Sequence, residues 1–254
     1  MKRAGGLYKQ LCDFFHLREA ALKAVKGKKK RANVNFFLLH LESQLLKLQK
    51  ELQNKTYKPA RYEQFTIWDP KKRTISAARF PDRVIHHAVC MLLEPVFERY
   101  FIYHSYACRK EKGLHKALKI AKIHAHKYKY FLKMDIAKFY DTINHNLLKQ
   151  KLRHIIKDRD FLWLLDVIID TVPYSCQVEG IPIGNLTSQY FANFLLSDLD
   201  HYIKNVLRIK PYLRYMDDLL FFGQEKNFLK NCKNNLERYL PEKLYLEWQH
   251  KATI

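Results

Sequence analysis

The chain has 254 residues, of which 48% are apolar and 14% aromatic, so it is long and apolar enough to bury a core and is not a disordered protein. Its 46 Lys and Arg outnumber 25 Asp and Glu, for a formal net charge of +21. This excess predicts a polyanionic partner, either nucleic acid or an anionic membrane surface. No apolar run is long enough to span a bilayer and no signal-peptide pattern opens the chain, so we expect nucleic acid, no membrane and a cytoplasmic location.

The five cysteines are odd in number, widely spaced and lack any Cys-x-x-Cys pair. This usage predicts reduced thiols in a cytosol-like compartment. The twelve histidines have no cysteines at matching ligand spacing, so the sequence does not predict a zinc site.

The first 55 residues predict a basic helical segment. A cluster within it has six basic residues in nine positions and no acid: Lys23, Lys26, Lys28, Lys29, Lys30 and Arg31. Such a cluster can neutralise several phosphates and release their counterions. The alternative is a solvated run of charge. Apolar residues at helical spacing then predict one amphipathic helix over 33–53.

Residues 62–68 and 73–76 predict two strands joined by a basic turn. Lys72, Arg73 and Arg79 are then available to phosphate oxygens, for which Arg offers a bidentate fork. A solvated turn is the alternative interpretation.

Two helices follow this predicted hairpin. Asp82 predicts the amino-terminal cap of the first, which Pro95 disturbs at its end. The second, over 114–128, carries Lys116, Lys119 and Lys122 at three-residue spacing. These lysines form either a ridge that tracks a phosphate backbone or an ordinary solvated face.

Three carboxylates dominate the remainder of the chain. A buried strand is predicted to end at Asp135, and Asp217 and Asp218 lie between two apolar runs that predict a hairpin. Acids embedded in apolar strands are costly unless they are paired or bind a metal, and hard cations prefer oxygen ligands. We therefore predict that the three converge on metal ions. The alternative is that an Asp-Asp pair simply suits a turn.

Two further features flank these carboxylates. Tyr140, five residues after Asp135, is either a ring against the sugar of an incoming nucleotide or a core aromatic. The loop 180–185 opens a predicted helix over 186–199 and suits contact with a base or phosphate.

Beyond the aspartates we predict a helix over 226–239 and a strand over 243–248. Helices mingled with strands in this order predict an α+β fold.

This ordered series of motifs resembles the bacterial reverse transcriptases, in the branch that contains group II intron and diversity-generating retroelement enzymes. The resemblance covers the whole chain, and it implies a right-hand polymerase with fingers over 56–130 and palm over 131–254. It implies an RNA-directed DNA polymerase that uses two Mg²⁺ ions at its catalytic aspartates. Its partners would be an RNA template, an RNA/DNA duplex, deoxynucleoside triphosphates and an accessory protein.

The resemblance also implies roles for individual residues. Lys72, Arg73 and Arg79 would hold the triphosphate, and Tyr140 would exclude a 2′-hydroxyl. Lys251 falls near the lysine that protonates the leaving pyrophosphate. Because such enzymes continue into a helical thumb, we expect the thumb to be missing or truncated here.

The loop departs from the common family pattern. Most relatives carry Gln where this chain has Ile183, after which come Gly184 and, in place of a Ser-Pro pair, Gln189. Together with the opening of the chain and the segment 103–110, this variant resembles the diversity-generating retroelement group, in which cDNA synthesis is error-prone at template adenines. Two rival functions remain open: a non-catalytic, maturase-like RNA-binding protein, and an antiphage-defence reverse transcriptase with different template use.

Overall fold

A computed structural model describes residues 2–68, 71–173 and 179–249. Within these ranges helices and strands alternate irregularly, which confirms the α+β prediction. The helices are α1 (Leu7–Leu11), α2 (Phe14–Val25), α3 (Ala32–Leu39), α4 (Leu41–Gln53), α5 (Phe80–Glu98), α6 (Leu114–Lys127), α7 (His145–Ile155), α8 (Arg159–Asp170), α9 (Leu186–Leu195), α10 (Ser197–His201) and α11 (Lys226–Leu244). The strands are β1 (Glu63–Trp68), β2 (Lys72–Ala77), β3 (Tyr130–Met134), β4 (Tyr212–Tyr215) and β5 (Asp218–Gly223). None of the described helices combines the length and apolar character that crossing a membrane requires.

The strands form two antiparallel sheets. β1 and β2 make a hairpin in which Glu63 pairs with Ala77 and Trp68 with Lys72. The other sheet has the order β3-β5-β4, so the last strand in the chain is the central one.

The chain divides into two compact units. The first consists of Met1–Val96 and Leu148–Gln189, and the second of Phe97–Leu147 and Tyr190–Ile254. The three-part division at residues 55 and 130 stays a prediction.

In the first unit, the single helix predicted over 33–53 is wrong. The chain breaks at His40, whose φ of −113° is outside the helical range, and forms α3 and α4 instead. The two helices have different neighbours. Phe37 of α3 packs edge-on against Phe80 of α5, with ring centres 4.9 Å apart, whereas α4 contacts α2 and buries leucines of its own.

The prediction that Asp82 caps a helix is also wrong. α5 begins at Phe80, so Asp82 lies inside its first turn, where the side chain is buried. Its carboxylate accepts hydrogen bonds from the Tyr57 hydroxyl at 2.8 Å and from the Ala60 backbone N–H at 3.1 Å. Asp82 therefore ties the segment before β1 to α5.

In the second unit, helices pack on the three-stranded sheet. Ala117 of α6 lies in a core cluster with Leu213 and Phe222 from the strands. α11 contacts β3 and β5 and has a buried stripe of Leu229, Cys232, Leu236, Leu240 and Leu244. This stripe continues to Leu244, beyond Pro241, so burying that leucine favours a helix that continues past the proline. The predicted helix end at 239 and strand over 243–248 are therefore wrong.

We predict that protonation of His86 contributes to acid unfolding. His86 is 2% exposed, and burial, followed by repulsion from His87 and Arg83, lowers its pKa from 6.5 to about 3. The folded state therefore binds fewer protons than the unfolded state below pH 6.5, and stability is lost as the pH falls from 6.5 towards 3. One such proton changes the free energy of unfolding by at most about 1.4 kcal/mol per pH unit.

His86→Gln removes that proton uptake, so its melting temperature should fall less steeply between pH 6.5 and 4 than that of the wild type. Thermal unfolding followed by circular dichroism over this range measures the slope. The control is His126→Gln at an exposed position. Equal slopes in all three proteins would contradict the prediction.

Candidate active site

The β4–β5 hairpin carries two of the three predicted catalytic aspartates. Tyr215 pairs with Asp218, so Met216 and Asp217 form a two-residue turn between the strands. Met216 has a φ of 53°, in the left-handed region that side chains other than glycine adopt at a cost. The turn holds Asp217 and Asp218 half-buried at its tip. The hairpin predicted from sequence is therefore confirmed.

Strand pairing brings the third aspartate to the same end of the sheet. Met134 of β3 pairs with Leu219 of β5. Asp135 directly follows Met134, and Asp218 directly precedes Leu219, so these two acids lie at adjoining ends of paired strands. The backbone carbonyl of Asp135 accepts from the N–H of Gln249 at 2.8 Å, which fixes the chain just after β3.

Lys133 lies beside these three aspartates, and the sequence analysis did not identify it as part of the site. Its Nζ lies 2.9 Å from Oδ1 of Asp218. The hydrogen bond to Asp218, and then attraction to Asp135 and Asp217, raise the pKa of Lys133 although partial burial opposes this. The signal available in the sequence was a lysine two residues before Asp135, which strand alternation places on the same face as that acid.

The chemistry of this donor set suits a hard divalent cation, since all three candidate ligands are carboxylates. The ammonium of Lys133 beside Asp218 shows that the site attracts positive charge. Within residues 2–68, 71–173 and 179–249, however, no group of three or more His, Cys, Asp or Glu side chains has the arrangement of a metal site. The pair of Mg²⁺ ions stays a prediction.

Tyr140 lies on a short 3₁₀ turn over Phe139–Asp141. Its ring is half-buried and stands edge-on to the ring of Phe139, with centres 5.7 Å apart. Phe139 is the buried aromatic of this turn, at 2% exposure. Tyr140 therefore keeps part of its surface exposed, and its role beside a nucleotide sugar stays a prediction.

In the first unit, the predicted triphosphate-binding residues lie on and beyond the β1–β2 hairpin. Lys72 and Arg73 occupy β2, Arg79 follows it, and all three are exposed. Nζ of Lys72 lies 5.7 Å from the ring centre of Trp68, the residue it pairs with across the hairpin. The hairpin thus presents an exposed aromatic ring together with positive charge.

The loop 180–185 is fixed to the same hairpin. The backbone carbonyl of Ile183 accepts from the N–H of Ser76 at 2.8 Å, and the Asn185 amide donates to the Tyr62 hydroxyl at 2.9 Å. Gly184 has a φ of 120°, and a Cβ there would lie 2.9 Å from a methyl carbon of Ile75. The close approach of loop and hairpin therefore requires glycine.

A cavity of about 420 Å³ in this unit joins the loop to the basic segment. Lys28, Arg31, Arg83, Gly184 and Gln189 contribute to its lining. Burial, and then repulsion from Arg83 and Arg31, lower the pKa of Lys28. Positive groups held close enough to repel one another suit an anion such as a phosphate.

The other predicted nucleic-acid contacts are placed separately. Lys26, Lys29 and Lys30 are exposed around the cavity-lining residues of the basic segment. Lys116 and Lys119 are exposed on α6 in the second unit. Lys251 lies outside the described residues.

A family model described as reverse transcriptase (RNA-dependent DNA polymerase) matches residues 58–249. The chain belongs to this reverse transcriptase family. Protein YkfC of Escherichia coli is 27% identical over 206 residues, which cover 77% of this chain and 51% of that protein. The group II intron-encoded protein LtrA of Lactococcus lactis subsp. cremoris is 27% identical over 224 residues, covering 83% of this chain and 37% of LtrA.

Solved structures share the fold. Apo telomerase from Candida tropicalis, truncated from its C-terminal domain, has a TM-score of 0.57 at 14% identity and covers 80% of this chain and 53% of that chain. These findings confirm the reverse transcriptase family and the fold that it shares with the solved structure, and they show that the chain is similar to a group II intron-encoded protein. This reverse transcriptase chain spans about half or less of the length of the two curated relatives. The diversity-generating retroelement assignment and the missing thumb stay predictions.

We predict that Gly184→Ala loosens the loop from the hairpin. An alanine at this position must adopt a positive φ, and its Cβ would lie 2.9 Å from Ile75 and 3.0 Å from the Ser76 carbonyl oxygen. We therefore expect the free energy of unfolding to fall by about 1–3 kcal/mol. Gly27→Ala is a matched control, because Gly27 also has a positive φ, of 76°, and its Cβ would meet nothing within 4 Å. Urea unfolding measures both variants. Equal losses of unfolding free energy in the two variants would contradict the prediction, because they would show that the contact with the hairpin adds nothing to the cost of the positive φ.

Proposed function

We propose that this reverse transcriptase chain is an RNA-directed DNA polymerase. The observation that carries the proposal is the position of Asp135 beside the Asp217–Asp218 turn, at adjoining ends of paired β3 and β5. Rigid strand ends are the support that converging ligands for hard cations need. Membership of the reverse transcriptase family supports the same activity.

In this mechanism Asp135 and Asp217, assisted by Asp218, would hold two Mg²⁺ ions. Such ions would activate the primer 3′-hydroxyl and stabilise the pyrophosphate leaving group. Lys133 orients the Asp218 carboxylate through its 2.9 Å contact. Tyr140, half-buried on its turn, excludes a 2′-hydroxyl and so selects deoxynucleotides.

Positive side chains in this proposal neutralise phosphate charge. Lys72, Arg73 and Arg79 contact the triphosphate, where preorganised donors stabilise the charge that develops during transfer. Lys28 and Arg31, on the wall of the cavity, contact the phosphates of the template strand. Contacts of this kind bind RNA largely without regard to sequence and weaken as salt rises.

The finer proposal is that this polymerase is the error-prone enzyme of a diversity-generating retroelement, aided by an accessory protein in the cytoplasm. It is supported by Ile183, whose side chain can neither donate nor accept a hydrogen bond where most relatives carry Gln. A cytoplasmic location agrees with Cys12, Cys90, Cys108 and Cys232, which form no disulfide.

We predict that Asp217→Asn abolishes primer extension on an RNA template with deoxynucleotides and Mg²⁺. The amide keeps the shape of the side chain and removes its charge, so we expect the rate to fall at least about a thousandfold. Gel analysis of extended primer measures it. Asp141→Asn, at an exposed acid six residues after Asp135, is the control and should extend normally.

RNA binding by the same proteins separates the rival functions. If wild type and Asp217→Asn bind RNA equally tightly and neither extends a primer, even after the accessory protein of the same element is added, the maturase-like RNA-binding function replaces the polymerase. Extension without a template would instead favour the defence-type enzyme.

We predict that Ile183→Gln lowers misincorporation opposite template adenine. A side-chain amide restores hydrogen bonding at the loop, and one added hydrogen bond corresponds to roughly a fivefold to tenfold change. Sequencing of cDNA made by purified protein measures the error spectrum. Ile183→Val is the control because it stays apolar. An unchanged spectrum in Ile183→Gln would remove the support for the error-prone assignment.

A further inference from the structure

A buried arginine lies directly behind the aspartate turn. Arg214 is in β4, and neither it nor its ion-pair partner Asp200 of α10 has any exposed surface. A charge removed from water is costly unless hydrogen bonds satisfy it. The hydrogen-bond partners of Arg214 therefore indicate which parts of the chain this buried charge holds together.

All five N–H donors of this guanidinium have acceptors within the second unit. Nε donates to Oδ1 of Asp200 at 2.8 Å and one Nη2 donor to Oδ2 of the same carboxylate, so the pair is bidentate. Nη1 donates to the Asn193 side-chain oxygen at 2.8 Å and to the backbone carbonyl of Met216 at 2.9 Å. The remaining Nη2 donor meets the Ser105 hydroxyl at 3.2 Å.

The bond to Met216 connects this network to the catalytic turn. Met216 is the residue whose φ of 53° reverses the chain, and its carbonyl precedes the amide of Asp217. Without a partner, a left-handed methionine would relax towards commoner backbone conformations. The hydrogen bond from Arg214 favours the reversed conformation and so determines the direction in which Asp217 leaves the turn.

The anchor has partners besides Arg214, one in β4 and one in the 105–107 segment. Asp200 accepts a hydrogen bond from the Tyr212 hydroxyl at 2.7 Å as well as both bonds from Arg214. The Asn193 amide donates to the Ala107 carbonyl at 2.9 Å, which connects α9 to the segment that follows α5. Arg214 thus joins α9, α10 and the 105–107 segment to a single carbonyl of the turn.

We propose that Arg214 is a positioning residue for the polymerase reaction: anchored on Asp200 and Asn193, it holds the Met216 carbonyl so that Asp217 and Asp218 keep the geometry that phosphoryl transfer needs. This inference rests on the proposed polymerase function. It adds a residue that does not touch the nucleotide and acts only through the turn.

Arg214→Lys tests the proposal. One ammonium cannot bridge the Asp200 carboxylate and also reach the Met216 and Asn193 oxygens, because its three donors radiate from a single atom. We expect kcat to fall about 100-fold, the usual result of a displacement near 1 Å in a catalytic group. KM for deoxynucleotide and the affinity for an RNA–DNA duplex should change by less than about threefold, because those contacts lie elsewhere.

Tyr212→Phe is the matched control. It removes a hydrogen bond to the same buried Asp200 but leaves the bond from Arg214 to Met216 intact. It should lower the melting temperature while kcat stays within about threefold of wild type. Amide hydrogen exchange in peptides spanning 212–223 should be faster in Arg214→Lys than in Tyr212→Phe, with α6 unchanged in both.

The outcomes distinguish failure of the positioning role of Arg214 from failure of the proposed polymerase function. If kcat falls equally in both variants, in step with melting temperature, Arg214 is structural only and the polymerase proposal stands. If wild type extends no primer but exchange at the turn rises only in Arg214→Lys, the hold on the turn is supported and the polymerase proposal fails.

Asp200→Asn takes over the test if Arg214→Lys does not fold. The amide keeps the shape of the anchor and weakens its hold on the guanidinium, so we expect kcat to fall about tenfold with KM retained. Unchanged kcat in folded Asp200→Asn would overturn the proposal.

Discussion

The antiparallel pairing of β3 with β5 is the constraint on which the candidate active site depends. It brings Asp135 to the end of the sheet where the β4–β5 turn presents Asp217 and Asp218. Because β5 is the central strand, its position is set from both sides. The same pairing puts Lys133 within hydrogen-bonding distance of Asp218, so the acidic group is partly neutralised by its own sheet.

One site in each unit has a distinct local charge: the cavity of the first unit is positive, and the aspartate turn of the second is negative. The chain carries a net charge of +21, and in the first unit positive groups crowd a cavity closely enough to lower the pKa of Lys28. In the second unit the turn concentrates negative charge, which raises the pKa of Lys133. A polymerase needs both kinds of site, because it must attract a polyanion and also retain cations at the reacting phosphate.

Several polar contacts in this protein are hydrogen bonds to backbone groups, and they hold segments of the chain in place. Asp82 holds the Ala60 N–H, and Arg214 holds the Met216 carbonyl. Ser76 donates its N–H to the carbonyl of Ile183 and so ties a loop to a hairpin. In each case a hydrogen bond to a backbone group helps to hold a segment that local propensity leaves undetermined, which agrees with the role of buried polar networks in specifying a single structure.

Local patterns determined much of the fold and part of the site. Two apolar runs on either side of the Asp-Asp turn predicted the β4–β5 hairpin, apolar spacing predicted α6, and a buried run predicted β3 before Asp135, because each signal depends on neighbours within a few residues. The reverse transcriptase family was identified from the order of these motifs, and its model matches residues 58–249.

Tertiary structure decided the features that depend on distant partners. The break at His40, the passage of α11 through Pro241 and the choice of Asp200 as the partner of Arg214 are all set by packing across the unit. An arginine within an apolar strand signals a buried partner but does not say which acid will supply it. Local sequence therefore determined where the carboxylates lie along their strands, and only long-range pairing determined what holds them in place, because burial energy is set by contacts between segments far apart in the chain.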